Sequence, residues 1–229
     1  MTEEASLKEH EAKSPSFFVF KDKKGKIKYF FFALVFVLGL RTLETAIHEL
    51  AHGLAVVITG GHLPPNAFFI SPFGGYTLWH DVPGEALWFV NMIGTLAGVV
   101  AMLSIFFTMF KRSVNPWARW TGYWGGVVIP VNSLFYWLAA PFLADAQNFD
   151  PVAFASNVGI SPPWLVGVII TFPFAIAWRN MWNGTRLIEG TLLGDPGRFH
   201  VKCLVFYYCI TFGFSFMSYL NLFDQFKWF

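Results

Sequence analysis

Ile47-His48-Glu49-Leu50-Ala51-His52-Gly53 lies inside an apolar run from Tyr29 to Thr59, and the reading of the whole chain depends on it. On an α-helix the four-residue step from His48 to His52 rises about 6 Å and rotates roughly 40°, so both imidazoles share one face. In the pattern His-Glu-x-x-His the two ring nitrogens can converge on one Zn²⁺, at about 2.0–2.1 Å from each. Glu49, about 100° round from His48, is then beside the metal without having to ligate it. It is placed to take a proton from a water that the metal activates. The plain alternative is a pair of packed histidines without metal, but apolar surroundings make unpaired polar side chains costly.

Those surroundings follow from composition. Of 229 residues, 55% are hydrophobic, 20% aromatic and 13% charged, with 28 Phe and 10 Trp. A soluble domain carries roughly twice that share of charge, so the chain reads as an integral, multi-pass membrane protein in contact with the lipid bilayer. A net charge of +2 gives no argument for a nucleic-acid partner. Cys203 and Cys209 lie in a late apolar segment and suggest neither a disulfide framework nor a cysteine metal site.

The predicted fold class is all-α and polytopic. A polar tail, residues 1–28, ends in Lys21, Lys23, Lys24, Lys26 and Lys28. A single membrane domain, 29–229, follows, with five spans at about 29–59, 85–110, 117–143, 163–182 and 201–223. Trp88, Trp117, Trp120, Trp164, Trp178, Trp182 and Trp228 fall near span ends, where interface anchors belong. On the first span Arg41, Glu44, Thr45, His48, Glu49 and His52 share about 140° of arc, opposite Leu40, Leu43, Ile47, Leu50 and Leu54. Glu44, one turn before His48, is placed either to accept its second ring proton or to pair with Arg41.

Gly60-Gly61 ends the first helix, and a connection rich in Pro and Gly follows it. Within this connection Ala67 to Ile70 and Tyr76 to Trp79 flank Ser71-Pro72-Phe73-Gly74-Gly75, which predicts a short membrane-associated β-hairpin between the first two spans. Basic residues cluster before span one, between spans two and three (Lys111, Arg112, Arg119) and between spans four and five (Arg179, Arg186, Arg198, Lys202). The segments 60–84 and 144–162 have none. The positive-inside rule therefore puts the N-terminus in the cytoplasm and the C-terminus on the opposite side. By side, Asp195 is excluded as a third metal ligand, while Asp145, Asp150, His62, His80 and Asp81 all qualify.

His48-Glu49-Leu50-Ala51-His52-Gly53, then Thr59-Gly60-Gly61, then Pro72-Phe73-Gly74-Gly75-Tyr76, resembles the site-2 protease family of intramembrane zinc metalloproteases. The resemblance spans roughly residues 40–165. It implies a membrane helix carrying the metal motif, an embedded hairpin with a Gly-Gly turn, and an Asp near the end of a later span. The family's Leu-Asp-Gly is absent here, although Asn132 and Pro141 are present. The stretch from Asp150 to Trp164 is similar to the compact branch of the family, which favours Asp150 over Asp145. On this resemblance His48, His52 and Asp150 hold Zn²⁺ and Glu49 is the general base. Asn132, Gly74 and Gly75 contact the substrate, a membrane-protein segment held by strand addition at the hairpin. The other expectation is a non-catalytic, metal-binding subunit of a larger membrane complex, favoured by the aromatic content, the short loops and the missing Leu-Asp-Gly.

Overall fold

The structure is a computed structural model, and it describes residues 23–143, 149–189 and 199–219, with side chains up to residue 213 in the last stretch. Most of the tail, together with Asp145, Asp195, Arg198 and Trp228, lies outside the described residues. Helix α1 spans Lys23–Ile58. It therefore starts inside the segment read as tail and takes up Lys23, Lys24, Lys26 and Lys28. Its end is set by Gly60, whose φ of 89° is left-handed. Gly61 N donates to Val56 O at 2.8 Å and Gly60 N to Val57 O at 3.2 Å, the paired bonds that satisfy the last carbonyls of a helix.

Strands β1 (Phe68–Ser71) and β2 (Gly74–Thr77) form an antiparallel pair in which Ser71 faces Gly74 and Phe68 faces Thr77. The turn is thus Pro72-Phe73, and both glycines expected in the turn belong to β2. Gly74 has φ 154°, a conformation that favours glycine. At Gly75 a Cβ would stand 2.8 Å from Glu49 Oε1, so only a bare backbone fits against α1 there. Thr77 is buried against α1, whereas the cross-strand pair Phe69 and Tyr76 is exposed.

Helix α2 covers Gly84–Arg112 and α3 covers Pro116–Leu143. Each contains one widened π turn, Leu103–Phe107 and Trp124–Val128 respectively. The two turns lie against each other because Gly122, Gly125 and Gly126 leave no side chain where Phe106, Phe107 and Phe110 press in. Pro130 follows the widened turn, which relieves the backbone hydrogen bond that proline cannot make. Helix α4 (Asp150–Val158) is short and ends at Gly159, also left-handed at φ 75°. Helix α5 (Trp164–Ile188) runs six residues past the predicted end of its span, and α6 is Phe199–Tyr219.

Four helices, α1, α2, α3 and α5, are long and apolar enough to cross a membrane. The outward residues are the apolar ones: Leu54 is 61% exposed, Ile58 70% and Phe172 74%. The inward residues of α1 include Glu44, Thr45, Glu49 and His52, all buried. Leu40, on the apolar side of α1, is buried in the aromatic core. That core, around Trp120, Tyr123, Trp124 and Tyr207, holds the beginning of α1, where the Tyr29 hydroxyl accepts from Trp120 Nε1 at 2.9 Å and meets His200 Nδ1 at 2.8 Å. His48 lies 19 residues further along α1, about 28 Å away by helical rise.

Candidate metal centre

His48 and His52 are one turn apart on α1, and Asp150 opens α4 beside them. The Asp150 backbone N–H donates to the Tyr136 hydroxyl of α3 at 3.2 Å, which fixes the start of α4 against the bundle. Asp150 Oδ2 lies 3.0 Å from His48 Nε2 and 3.3 Å from His52 Nε2, and the two ring nitrogens are 3.0 Å apart. A tetrahedral ion with bonds of 2.0–2.1 Å holds its ligand atoms about 3.3 Å apart, so the triangle has the dimensions of a metal face. The ligating atoms of these three residues all lie within 4.8 Å of one another, close enough to hold one metal ion.

The ring of His52 is set by α2. Its Nδ1 lies 2.6 Å from the Val90 carbonyl, which assigns the proton to Nδ1 and turns the Nε2 lone pair toward Asp150 and His48. The surface of α2 that receives both rings is Gly94, where a Cβ would meet His52 Nε2 and come within 2.8 Å of His48 Cδ2. One turn on, Gly98 leaves room for Glu44, whose Oε1 would be 2.8 Å from a Cβ there. Burial pushes the Asp150 carboxyl up, but its hydrogen bonds with His48 and His52 outweigh this and hold it below the ordinary carboxylate range.

Glu49 lines the same cavity, which has a volume of about 230 Å³. The Thr77 hydroxyl is 2.8 Å from Glu49 Oε2 and donates to it, and it is 3.0 Å from the Glu49 carbonyl. The hairpin is thereby tied to α1 at the carboxylate. Thr77→Val keeps the shape and removes the donor, so it should lower stability by about 1 kcal/mol or more, as lost bonds to carboxylates do. An unfolding midpoint equal to wild type would show that the bond does not hold the hairpin.

The remaining predicted residues fall in different places. Glu44 accepts from Arg41 and, at 2.8 Å, from Ser133 Oγ, so it pairs with Arg41 and not with His48. Asn132 is buried in the cavity wall, 3.5 Å from the Tyr207 hydroxyl and 3.4 Å from Thr211 Oγ1 of α6. Gly74 and Gly75 line the cavity opposite the histidines' helix face. His62, His80 and Asp81 are exposed and not part of the cluster. Thr77, Gly94, Gly98, Ser133 and Tyr136 were not singled out from sequence. The Gly94-x-x-x-Gly98 spacing, a close-packing signal in apolar helices, is the local signal that could have found two of them. The chain matches no protein-family model, no curated protein and no solved structure.

Proposed function

We propose that the chain is a membrane-embedded zinc metalloprotease, of the kind its motifs resemble, that cleaves peptide bonds in membrane segments of other proteins. The observation that carries this reading is the triangle of His48 Nε2, His52 Nε2 and Asp150 Oδ2, 3.0–3.3 Å on each side, in one cavity with the Glu49 carboxylate. Two imidazoles and one carboxylate suit Zn²⁺. When bound, zinc supplies a Lewis acid and acidifies a water toward neutral pH.

The chain's own residues supply the rest. Glu49 accepts the proton of the attacking water and returns it to the leaving amine. Thr77 orients the Glu49 carboxylate while Oε1 stays beside Gly75. The edge of β2 away from β1 has no strand partner among the described residues. An unwound substrate segment can pair there, with its backbone brought close to Glu49 by the absence of side chains at Gly74 and Gly75. Asn132, in the wall of the cavity, offers an amide to the substrate backbone. The exposed leucines and buried charges of α1 support a bilayer around the bundle. The basic segments support a cytoplasmic N-terminus, with the C-terminus on the other side.

The deciding experiment is zinc content in purified full-length protein. Asp150→Ala should lose one zinc per chain, whereas Asp145→Ala should keep it. Equal zinc in wild type and Asp150→Ala would remove the catalytic centre and leave a membrane scaffold as the better reading.

A further inference from the structure

Residues 62–80 leave α1, form the hairpin and return to α2, and their two ends are closed by a pair of histidines. His62 N donates to His80 O at 2.9 Å, and His80 N donates back to His62 O at 3.0 Å, an antiparallel bridge outside the two strands. Residues that exchange both bonds have Cα atoms about 5.5 Å apart and side chains on the same face. Asp81 follows His80 and in an extended chain would point to the opposite face. Its φ of 59° is left-handed and re-aims it, so that Asp81 Oδ2 stands 3.7 Å from His62 Nδ1. That gap is too long for a hydrogen bond and close to the ~3.3 Å between neighbouring ligands of a tetrahedral metal. The side chains of His62 and Asp81 are 76% and 78% exposed, and His80 is exposed as well, so all three can rotate with little hindrance.

We propose that His62, His80 and Asp81 form a second site for a transition-metal ion of the Zn²⁺ class, which clips the base of the hairpin loop. The donor set of two imidazoles and one carboxylate is the same as at the buried centre, with water left to complete the coordination. Position gives the clip its effect. Thr77, which holds Glu49, is three residues before His80, so an ion joining residues 62 and 80 stiffens the wall that orients the carboxylate. The site does not rest on protease activity, and its ligands are separate from His48, His52 and Asp150.

Equilibrium dialysis of the full chain in detergent against Zn²⁺ tests the proposal. Wild type should bind roughly two zinc ions per chain, and both His62→Ala/His80→Ala and Asp150→Ala roughly one each. The substituted loop residues are exposed, so folding is not expected to suffer. In Asp150→Ala, zinc should also slow amide hydrogen exchange at residues 77–80, and adding the two loop substitutions should abolish that slowing. One zinc in wild type, lost with Asp150 and kept without the loop histidines, would overturn the clip. A second zinc that survives His62→Ala/His80→Ala would overturn it too. One zinc kept in Asp150→Ala and lost with the loop histidines would uphold the clip while removing the buried centre.

Discussion

Glu49→Gln should reduce hydrolysis of a membrane-segment substrate by about a thousandfold or more, the scale of a lost general base, while zinc content stays at the wild-type level. Glutamine has the shape of glutamate, and its carbonyl oxygen can still accept from the Thr77 hydroxyl, 2.8 Å from Oε2 in the native protein. The tight fit against Gly75 is also unchanged, because no atom is added. What the substitution removes is the capacity to take a proton. Since Glu49 is not one of the three converging ligand atoms, the metal has no reason to leave. The readout is cleavage of a reporter segment in reconstituted vesicles, with zinc measured on the same samples. Wild-type cleavage by the variant would exclude Glu49 as the base. If a strain carrying it also behaved as wild type where a deletion strain did not, the non-catalytic subunit would be the better account of the chain.

Gly94→Ala should disrupt the metal centre without altering any ligand. The added methyl would meet His52 Nε2 and approach His48 Cδ2 to 2.8 Å. His52 has little room to retreat, because Nδ1 is held by the Val90 carbonyl at 2.6 Å and the ring lies 6.0 Å from that of Trp79, centroid to centroid. Zinc affinity should fall by tenfold or more, the lower bound for losing the groups that orient ligands, and overpacking should cost about 1–3 kcal/mol of stability. The sign makes the test sharp. In a helix alanine is favoured over glycine by about 0.8–1 kcal/mol, so any loss must come from the contact with the rings. Gly39→Ala on α1 is the control, since nothing lies within 4 Å of a Cβ there. It should leave zinc binding and stability at or above wild type. Wild-type zinc affinity in Gly94→Ala would mean that the two rings do not depend on the surface of α2.

Much of the architecture was legible in local pattern. Long apolar runs identified α1, α2, α3 and α5, because about 20 residues with few charges are a signal carried by the local sequence. Pro72 and the paired glycines located the hairpin, but its second strand starts at Gly74, two residues before the expected Tyr76. The glycines were taken for turn residues, whereas Gly75 is needed inside β2, where the strand backbone presses on Glu49. The start of α1 was set too late, because a lysine-rich composition reads as tail even where the helix continues through it.

At the site, the sequence alone determined that two imidazoles and a carboxylate share a helix face, because a spacing of four residues is a local property of the backbone. Tertiary structure decided what meets that face. Asp150, 98 residues after His52, reaches it because α4 packs against the bundle, with its start bonded to Tyr136 and Ala155 buried beside Trp137. Gly94 and Gly98 matter because two antiparallel helices come together at those positions, and Thr77 because a strand folds back onto Glu49. Such contacts between residues distant in sequence are set by the packing of the bundle, and no periodicity along the chain encodes them.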